Sequence, residues 1–402
     1  MTIAAAYQQS PEYNPILGAA SRRLRRRSPP SKLDYLVRED WNFGVRQVEI
    51  WFRSKGCHYF LQGGCTMCNY GYSALKNPSV MVDYVAQALS TLKLDETIDL
   101  MVSPSGSFLD PWEVPPDVRA TIMAGVAKLP WRQFGFETQA NFIGDAVLKE
   151  VSAAIGNRPV KIAIGLESFD ADVRRLCINK DLPQSTFLEA ISCASRHGMD
   201  TSVNVVIGSP FLGLTMQVAD TTASANALAA LGVTEIFLFP VNVKVGTLVE
   251  WLWRRGHYVP PSLWTLLHII LSVDEHVRQR IAFAWHKEYY TEFDDVSNKV
   301  VHRPMKAELF KSEMLELSGL LENFLMTRDA EPLSRFASRS DAYRAWVNDL
   351  HEEVGLVNYG AVIEELIVDV LGAAWRDRHA VEISNFTAAL AQVAGRTLQA
   401  ND

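Results

Sequence analysis

Between residues 46 and 275 the sequence alternates short apolar runs with amphipathic stretches, and this alternation constrains the fold more than any other feature. The runs are rich in β-branched and aromatic residues and nearly continuous in hydrophobicity, which is typical of strands buried on both faces. Such strands, separated by helical segments, predict a parallel sheet with crossover helices. The six predicted strands cover residues 46–52, 98–107, 133–139, 160–168, 200–210 and 234–243.

The segments between the strands repeat apolar residues at helical spacing. Met81, Val85 and Leu89 share one helical face, and Pro115–Pro116 is a helix start signal. An open doubly wound sheet and a partial barrel both satisfy this pattern. Beyond residue 300 the pattern is helical throughout. We predict an N-terminal arm at 1–45, a core domain at 46–290 and an appended helical domain at 300–402.

The chain is acidic overall, with a formal net charge of −7. Proteins that hold long nucleic-acid duplexes are usually basic, because phosphate contacts supply most of the affinity. The local exception is the stretch SRRLRRRSPP, which we interpret as a solvated, flexible lead-in to the fold, with a phosphate-binding arm as the alternative. Its arginines are Arg22, Arg23, Arg25, Arg26 and Arg27.

The sequence has no apolar run near the length of about 18 residues that marks a membrane span, and no signal-peptide pattern. We therefore expect a cytoplasmic protein without a membrane partner. In a reducing compartment, the five cysteines of the chain are not a disulfide framework.

Three of those cysteines, Cys57, Cys65 and Cys68, lie within twelve residues, directly after the first predicted strand. Zinc would need a fourth ligand, and His58 adjoins Cys57 at an unusual spacing for one tetrahedral ion. A redox CxxC pair would explain Cys65 and Cys68 but leave Cys57 without a role. An iron–sulfur cluster held by three cysteines would keep one iron open. The number and spacing of the cysteines favour an iron–sulfur cluster over a zinc site and over accidental clustering.

Five stretches together resemble the radical S-adenosylmethionine (SAM) superfamily, and most of all the branch of the archaeosine-forming lyase of archaeal tRNA. They are RSKGCHYFLQGGCTMCNYG, SGSFLDPWEVPP, IAIGLES, INK and FPVNVKVGTLVEWLWRRGHYVPPSLW, and they fall between about residues 46 and 270. The resemblance implies a partial (β/α)6 barrel of parallel strands. It also implies that Cys57, Cys65 and Cys68 hold a [4Fe–4S] cluster whose fourth iron binds SAM, with Gly63 and Gly64 allowing the tight fold of the loop.

The resemblance also implies a set of SAM contacts. Tyr70 would lie near the adenine, and Ser105, Gly106 and Ser107 would surround the methionine amino group. The remaining cofactor contacts would come from strand ends and from the INK stretch, namely Glu137, Glu167, Lys180 and Asn204. A carboxylate inside a barrel mouth is costly unless it is paired, so a structural ion pair is the alternative for both glutamates.

The segment 246–261 would flank the substrate, where Glu250 and Tyr258, together with Glu167, are the predicted catalytic residues. Solvated side chains at a helix N-terminus are the alternative for this segment. Cys177 and Cys193 are expected to be small core residues.

The resemblance implies an enzyme that splits SAM into methionine and a 5′-deoxyadenosyl radical after receiving one electron from a donor such as flavodoxin or ferredoxin. The acidic charge and the absence of a cysteine-containing C-terminal tail differ from the archaeal lyase. We therefore expect a small amino-acid- or nucleoside-derived substrate in a biosynthetic pathway. The first alternative is a lyase that cleaves a C–N bond on a deazaguanine nucleotide in tRNA, and the second is a non-enzymatic zinc-binding module.

Overall fold

A single sheet organises the part of the chain that the computed structural model describes, namely residues 13–25, 33–73, 75–104, 106–284, 300–302, 311–352 and 358–399. Eight strands join in the order β1-β2-β3-β4-β5-β6-β7-β9, with β1 antiparallel to β2 and every other neighbour parallel. Their bounds are β1 Tyr35–Asn42, β2 Val45–Phe52, β3 Asp99–Pro104, β4 Gln133–Thr138, β5 Val160–Glu167, β6 Asp200–Ile207, β7 Glu235–Pro240 and β9 Ile281–Phe283, while β8 Val243–Lys244 and β10 Val300–His302 form a separate small antiparallel pair.

The six predicted strands correspond to β2 through β7. Their order in space follows their order in the sequence, whereas a doubly wound sheet reverses direction at a switch point. The strands instead curl as a partial barrel, so the predicted fold class is confirmed.

Helices connect the strands and cover the outer face of the sheet. Between β2 and β9 they are Val80–Ser90, Pro116–Val126, Asp145–Ile155, Ala171–Val173, Gln184–Arg196, Leu214–Ala230, Leu248–Arg254, Leu263–Ser272 and Glu275–Arg278, with a π-helical turn at Arg174–Ile178 and 3₁₀ turns at Tyr59–Gln62, Tyr70–Ser73 and Ala140–Phe142. The helices nearer the termini are Pro15–Arg25, Lys311–Thr327, Glu331–Arg339, Asp341–Glu352, Tyr359–Val370, Ala373–Arg378 and Ala380–Gln399.

The two faces of each strand differ in chemistry. On β4, Phe134 and Phe136 are fully buried in the apolar core beneath the helices. The residues that alternate with them, Gly135 and Glu137, point to the inner side of the sheet and line cavities there. The apolar runs of the sequence predicted strands that are apolar on both faces. The inner face is instead polar, because it surrounds a cavity rather than packed side chains.

Two edge strands were not predicted. β1 lies in the segment assigned to the N-terminal arm, and its residues alternate between partly buried and exposed positions at the edge of the sheet. β9 has only three residues and pairs with β7. Both lack the long apolar run by which the other strands were recognised.

Up to Arg25, the arginine-rich run is helical and not a flexible lead-in. Its first part belongs to the helix Pro15–Arg25, which buries Ile16, Leu17 and Ala20. Arg25 is itself buried, so the predicted solvated run is wrong at this position. Arg26 and Arg27 lie outside the described residues.

The C-terminal part is helical, as predicted, but its helices share their apolar contacts with the rest of the chain. Leu317, Phe324 and Phe336 belong to the same core as the strands. Ile363 and Leu390 pack in a second core with Leu17 of the N-terminal helix. The boundaries proposed at residues 45 and 300 stay predictions.

Within the described residues, none of the helices has both the length and the apolar character that are needed to cross a bilayer.

Replacement of Phe136 should test the packing between sheet and helices. Its ring lies 5.2 Å from that of Phe108 and 5.8 Å from that of Phe134, measured between centroids. We expect Phe136→Ala to lower the free energy of unfolding by about 3–5 kcal/mol through lost burial and a residual cavity. Urea denaturation measures the loss, with Leu231→Ala as a control on a side chain that is 40% exposed. Equal losses in the two variants would contradict this packing.

Candidate functional site

A cavity of about 200 Å³ opens at the carboxyl ends of the parallel strands. The cysteine loop forms one wall, and the ends of β4 to β7 form the others. The structure brings most of the predicted site residues to this cavity, including Cys57, Cys65, Cys68, Tyr70, Gly106, Glu137, Glu167, Lys180 and Asn204. Residues scattered over about 150 positions of the sequence therefore surround one space.

The cysteine loop turns sharply at two glycines. Gly63 and Gly64 have φ values of 117° and 53°, in the region that favours glycine. A Cβ on Gly63 would stand 2.6 Å from the backbone of Gly18, so this glycine also permits the close approach of the N-terminal helix.

The three thiols of this loop are poor nucleophiles. Burial raises the pKa of all three thiols, that of Cys57 to about 12, and neighbouring thiols contribute at Cys57 and Cys65. A redox-active CxxC pair instead has a thiolate of depressed pKa. These thiols would become thiolates when a metal supplies the compensating charge.

The spacing of the thiols distinguishes between metal centres. Their sulfur atoms do not all lie within 4.8 Å of one another, among the described groups searched for metal-binding geometry. Tetrahedral zinc with Zn–S bonds of about 2.3 Å would hold its sulfurs about 3.8 Å apart. A cluster in which each cysteine binds its own iron accepts a wider spacing. The arrangement therefore fits an iron–sulfur cluster better than one zinc ion.

His58 does not complete a zinc site. Its ring stacks on Trp112 with centroids 4.9 Å apart, and its Nδ1 lies 3.9 Å from a carboxylate oxygen of Asp110. It is absent from the residues that line the main cavity. The ring therefore packs beside the loop instead of facing the three thiols.

Glu167 and Lys180 form an ion pair in the cavity wall. Lys180 Nζ donates to Glu167 Oε1 over 2.7 Å, with both side chains mostly buried. Burial is the largest single influence and lowers the pKa of Lys180, but the charge and hydrogen bond of Glu167, together with the charges of Cys65 and Glu137, outweigh it and the net shift is upward. Glu167 ends β5 with a φ of 77° at an irregularity in the pairing with β6. This conformation is strained for a residue other than glycine and places the carboxylate beside the cavity.

Glu137 and Asn204 form the second polar contact. Asn204 Nδ2 donates to Glu137 Oε1 over 3.1 Å. Burial, followed by the charge of Glu167, raises the pKa of Glu137 to about 8. Glu137 and Glu167 thus both face the same space.

The serine-rich turn after β3 is only partly in the cavity. Gly106 lines it, and a Cβ there would stand 2.3 Å from Glu113 Oε2. Ser107 is turned inward, where its backbone N–H donates to Glu113 and its hydroxyl contacts Thr138 Oγ1. Ser105 lies outside the described residues.

Comparison with known proteins gives the relationship. The chain is 30% identical over 294 residues to archaeosine synthase subunit beta of Methanosarcina acetivorans, covering 72% of this chain and 81% of that protein. The protein of the same name from Thermococcus kodakarensis is 27% identical over 54% of this chain and 68% of its own length. The chain belongs to the radical SAM superfamily, in its archaeosine synthase subunit beta branch.

Other comparisons add less. No protein-family model matches the chain. Among solved structures, Methanocaldococcus infernus Elp3 has a TM-score of 0.41 at 12% identity, covering 61% of this chain and 57% of that one. Methylornithine synthase has a TM-score of 0.42 at 14% identity, covering 76% and 87%. These TM-scores are too low to carry an argument about function.

Glu250 and Tyr258 are not among the described residues that line the cavity of this radical SAM protein, and their predicted catalytic roles stay predictions. Glu250 accepts from the N–H of Gly246 and pairs with Arg254. Tyr258 is buried and donates to the carbonyl of Gly208. Their segment packs against the C-terminal helices, where Arg255 pairs with Glu365. Glu167 is the predicted catalytic residue that lines the cavity.

Several polar groups near the cavity were not predicted from the sequence, and Asn242 and Glu113 are two of them. Asn242 lines it and is only 4% exposed, yet neither its amide oxygen nor its amide nitrogen has a partner. Glu113 is fully buried beneath Gly106 and accepts from Ser54 Oγ. Both residues follow a strand end or the serine-rich turn, which are positions where site residues are expected. The sequence alone could not show which side chains there turn inward.

The buried carboxyl group of Glu113 should make the free energy of unfolding depend on pH. Burial raises its pKa to about 8 in the folded protein, so the folded state binds more protons than the unfolded state between pH 4.5 and 8. Stability contributed by the neutral acid is therefore lost as pH rises through that range.

Between pH 5 and pH 8, we expect the free energy of unfolding of metal-free Glu113→Gln to fall by a few kcal/mol less than that of wild type, since one pKa unit corresponds to about 1.4 kcal/mol. Urea denaturation at both pH values measures this, with Glu96→Gln as the exposed control. Parallel pH profiles for wild type and Glu113→Gln would contradict the assignment.

Proposed function

We propose that the protein is a radical SAM enzyme that acts on a small amino-acid- or nucleoside-derived substrate in a biosynthetic pathway. The supporting observation is the set of three partly buried thiols that line one cavity and do not all lie within 4.8 Å of one another, as they would around a single zinc ion. A [4Fe–4S] cluster and SAM, when bound, supply a 5′-deoxyadenosyl radical that abstracts hydrogen from an unactivated carbon.

The residues present fit these cofactors. Cys57, Cys65 and Cys68 would each ligate one iron and leave the fourth iron for SAM. Gly106 and Gly165 keep the wall open, because a Cβ on Gly165 would stand 2.9 Å from Lys180 Nζ. The unpaired amide of Asn242 offers a donor and an acceptor to a bound ligand.

Lys180, Glu167 and Tyr70 would position SAM. The ammonium of Lys180 would attract a carboxylate of the ligand, while Glu167 would hold that ammonium in place. Tyr70 lines the cavity with its ring centroid 4.0 Å from Lys244 Nζ, so the ring would lie near the adenine. Glu137 and Asn204, paired with each other, would accept from or donate to ribose hydroxyls.

A second cavity of about 70 Å³ gives room for a small substrate on the inner face of the sheet. Glu137 and Asn204 line both cavities, so a substrate there would lie next to the SAM site. Its other polar walls include Glu49 and the Lys161–Glu235 ion pair. Such enclosure would hold one C–H bond near the radical and keep water out.

A tRNA substrate is the second candidate, because the relatives are named archaeosine synthase subunit beta. Two observations favour the small molecule. The chain has a net charge of −7. Arg22 and Arg25 of the basic run donate to carbonyls of the cysteine loop and are not available as a phosphate-binding arm.

The further partner is an electron donor such as flavodoxin or ferredoxin, which would deliver one electron for each SAM cleaved. A cytoplasmic location, where such donors are reduced, is part of the same proposal.

Cys65→Ala tests the radical chemistry. We expect anaerobically reconstituted wild type to contain roughly four irons per chain and to form 5′-deoxyadenosine from SAM under reducing conditions. Cys65→Ala should lose the iron and reduce 5′-deoxyadenosine formation at least a hundredfold. Iron analysis and chromatography measure both quantities. Cys193→Ala, which removes a buried thiol away from the cavity, should retain them. Zinc in place of iron, with no SAM cleavage by wild type, would contradict the proposal.

Binding of tRNA over a salt series separates the two substrate classes. The full chain must be used, because the helix Pro15–Arg25 contacts the cysteine loop. We expect no specific binding at 150 mM salt and weak binding at low salt, since few phosphate contacts are available. Filter binding with a tRNA pool and a nonspecific RNA control measures this. Tight, tRNA-selective binding at physiological salt would transfer the proposal to the tRNA substrate.

A further inference from the structure

Arg25 lies behind the cysteine loop, on the last turn of the helix Pro15–Arg25. Its Nη2 donates to the carbonyl of Cys65 over 2.6 Å and to that of Cys68 over 2.9 Å. Its Nη1 donates to the carbonyl of Phe60 over 3.1 Å. One side chain thus contacts the backbone of two of the three cysteines proposed to bind iron.

The guanidinium is enclosed as well as bonded. Arg25 is 4% exposed, and its Cζ lies 4.3 Å from the centroid of the Phe60 ring. A Cβ on Gly64 would stand 3.0 Å from Nη1, so this glycine makes room for the side chain. The cysteine loop therefore encloses the arginine side chain.

The charge of Arg25 has no carboxylate partner among the described ion pairs, in contrast to Arg53 and Arg255, which pair with Asp34 and Glu365. The groups whose ionisation would stabilise its charge are instead Cys68, Cys65 and Cys57, with Tyr59 contributing least. A buried cation without a counterion is costly, because the interior does not replace its hydration. Thiolates bound to iron would supply the missing negative charge.

We propose that Arg25 is a positioning residue whose buried positive charge stabilises the thiolate shell of the cluster and favours its reduced state. This inference rests on the proposed function. The physical basis is that reduction adds one negative charge to the cluster, and a nearby cation in a low-dielectric environment attracts that charge more strongly than it would in water.

The test compares Arg25→Gln, which removes the charge, with Arg25→Lys, which keeps it but cannot bridge the same carbonyls. Arg23→Gln removes a charge at an exposed position of the same helix and is the matched control. Iron content and an EPR-monitored redox titration of the reconstituted full chain are the readouts. Circular dichroism of the metal-free proteins checks that each variant is folded.

We expect Arg25→Gln to lower the equilibrium constant for cluster reduction at least tenfold, equivalent to about 59 mV for one electron, or to retain less than half of the wild-type iron. Arg25→Lys should keep most of the wild-type iron content and most of the wild-type equilibrium constant for reduction. Arg23→Gln should match wild type in both.

Three results would overturn the inference. Wild-type iron and potential in Arg25→Gln would show that the charge does not act on the cluster. Equal defects in the glutamine and lysine variants would assign the effect to geometry alone. A wild-type chain that binds no iron would overturn the proposed function, and the inference with it.

Discussion

The buried carbonyl groups of the cysteine loop are the constraint on which the site depends. A loop that turns back on itself inside a protein must find hydrogen-bond donors for its backbone. Here the donors come from distant segments, because Arg25 donates to Cys65 and Cys68 and Asn179 Nδ2 donates to Gly64. The N-terminal helix and the π-helical turn at Arg174–Ile178 are thereby tied to the loop. These hydrogen bonds help to hold the partly buried cysteines at the cavity wall.

Asn179 connects three segments in one place. Its amide oxygen accepts from the N–H of Asn14, and its carbonyl accepts from the hydroxyl of Tyr59. It adopts a left-handed φ of 55°, which asparagine tolerates better than most residues. Lys180 follows directly and enters the cavity wall. The same turn therefore supports the cysteine loop and orients the ion pair with Glu167.

The sheet contributes the second half of the site. Alternation along β4 and β6 sends Phe134, Phe136 and Val203 to the core, and sends Glu137 and Asn204 to the inner face. Burial on that face raises the pKa of Glu137, and the Glu167–Lys180 ion pair lies in the wall of the same cavity. The strand ends thus bring these titratable groups into one small space.

Local patterns in the sequence determined the six central strands, the connecting helices and the position of the cysteines after the first of these strands, because apolar periodicity and short motifs depend on neighbouring residues. The tertiary structure alone decided which side chains share the cavity. It placed Arg25 and Asn242 beside the site, whereas Glu250 and Tyr258 are not among the described residues that line the cavity. It also added β1 and β9, whose pairing depends on partners far away in the sequence. Contacts between distant segments leave no periodic signal, so the direction of a polar side chain is settled only when those segments pack.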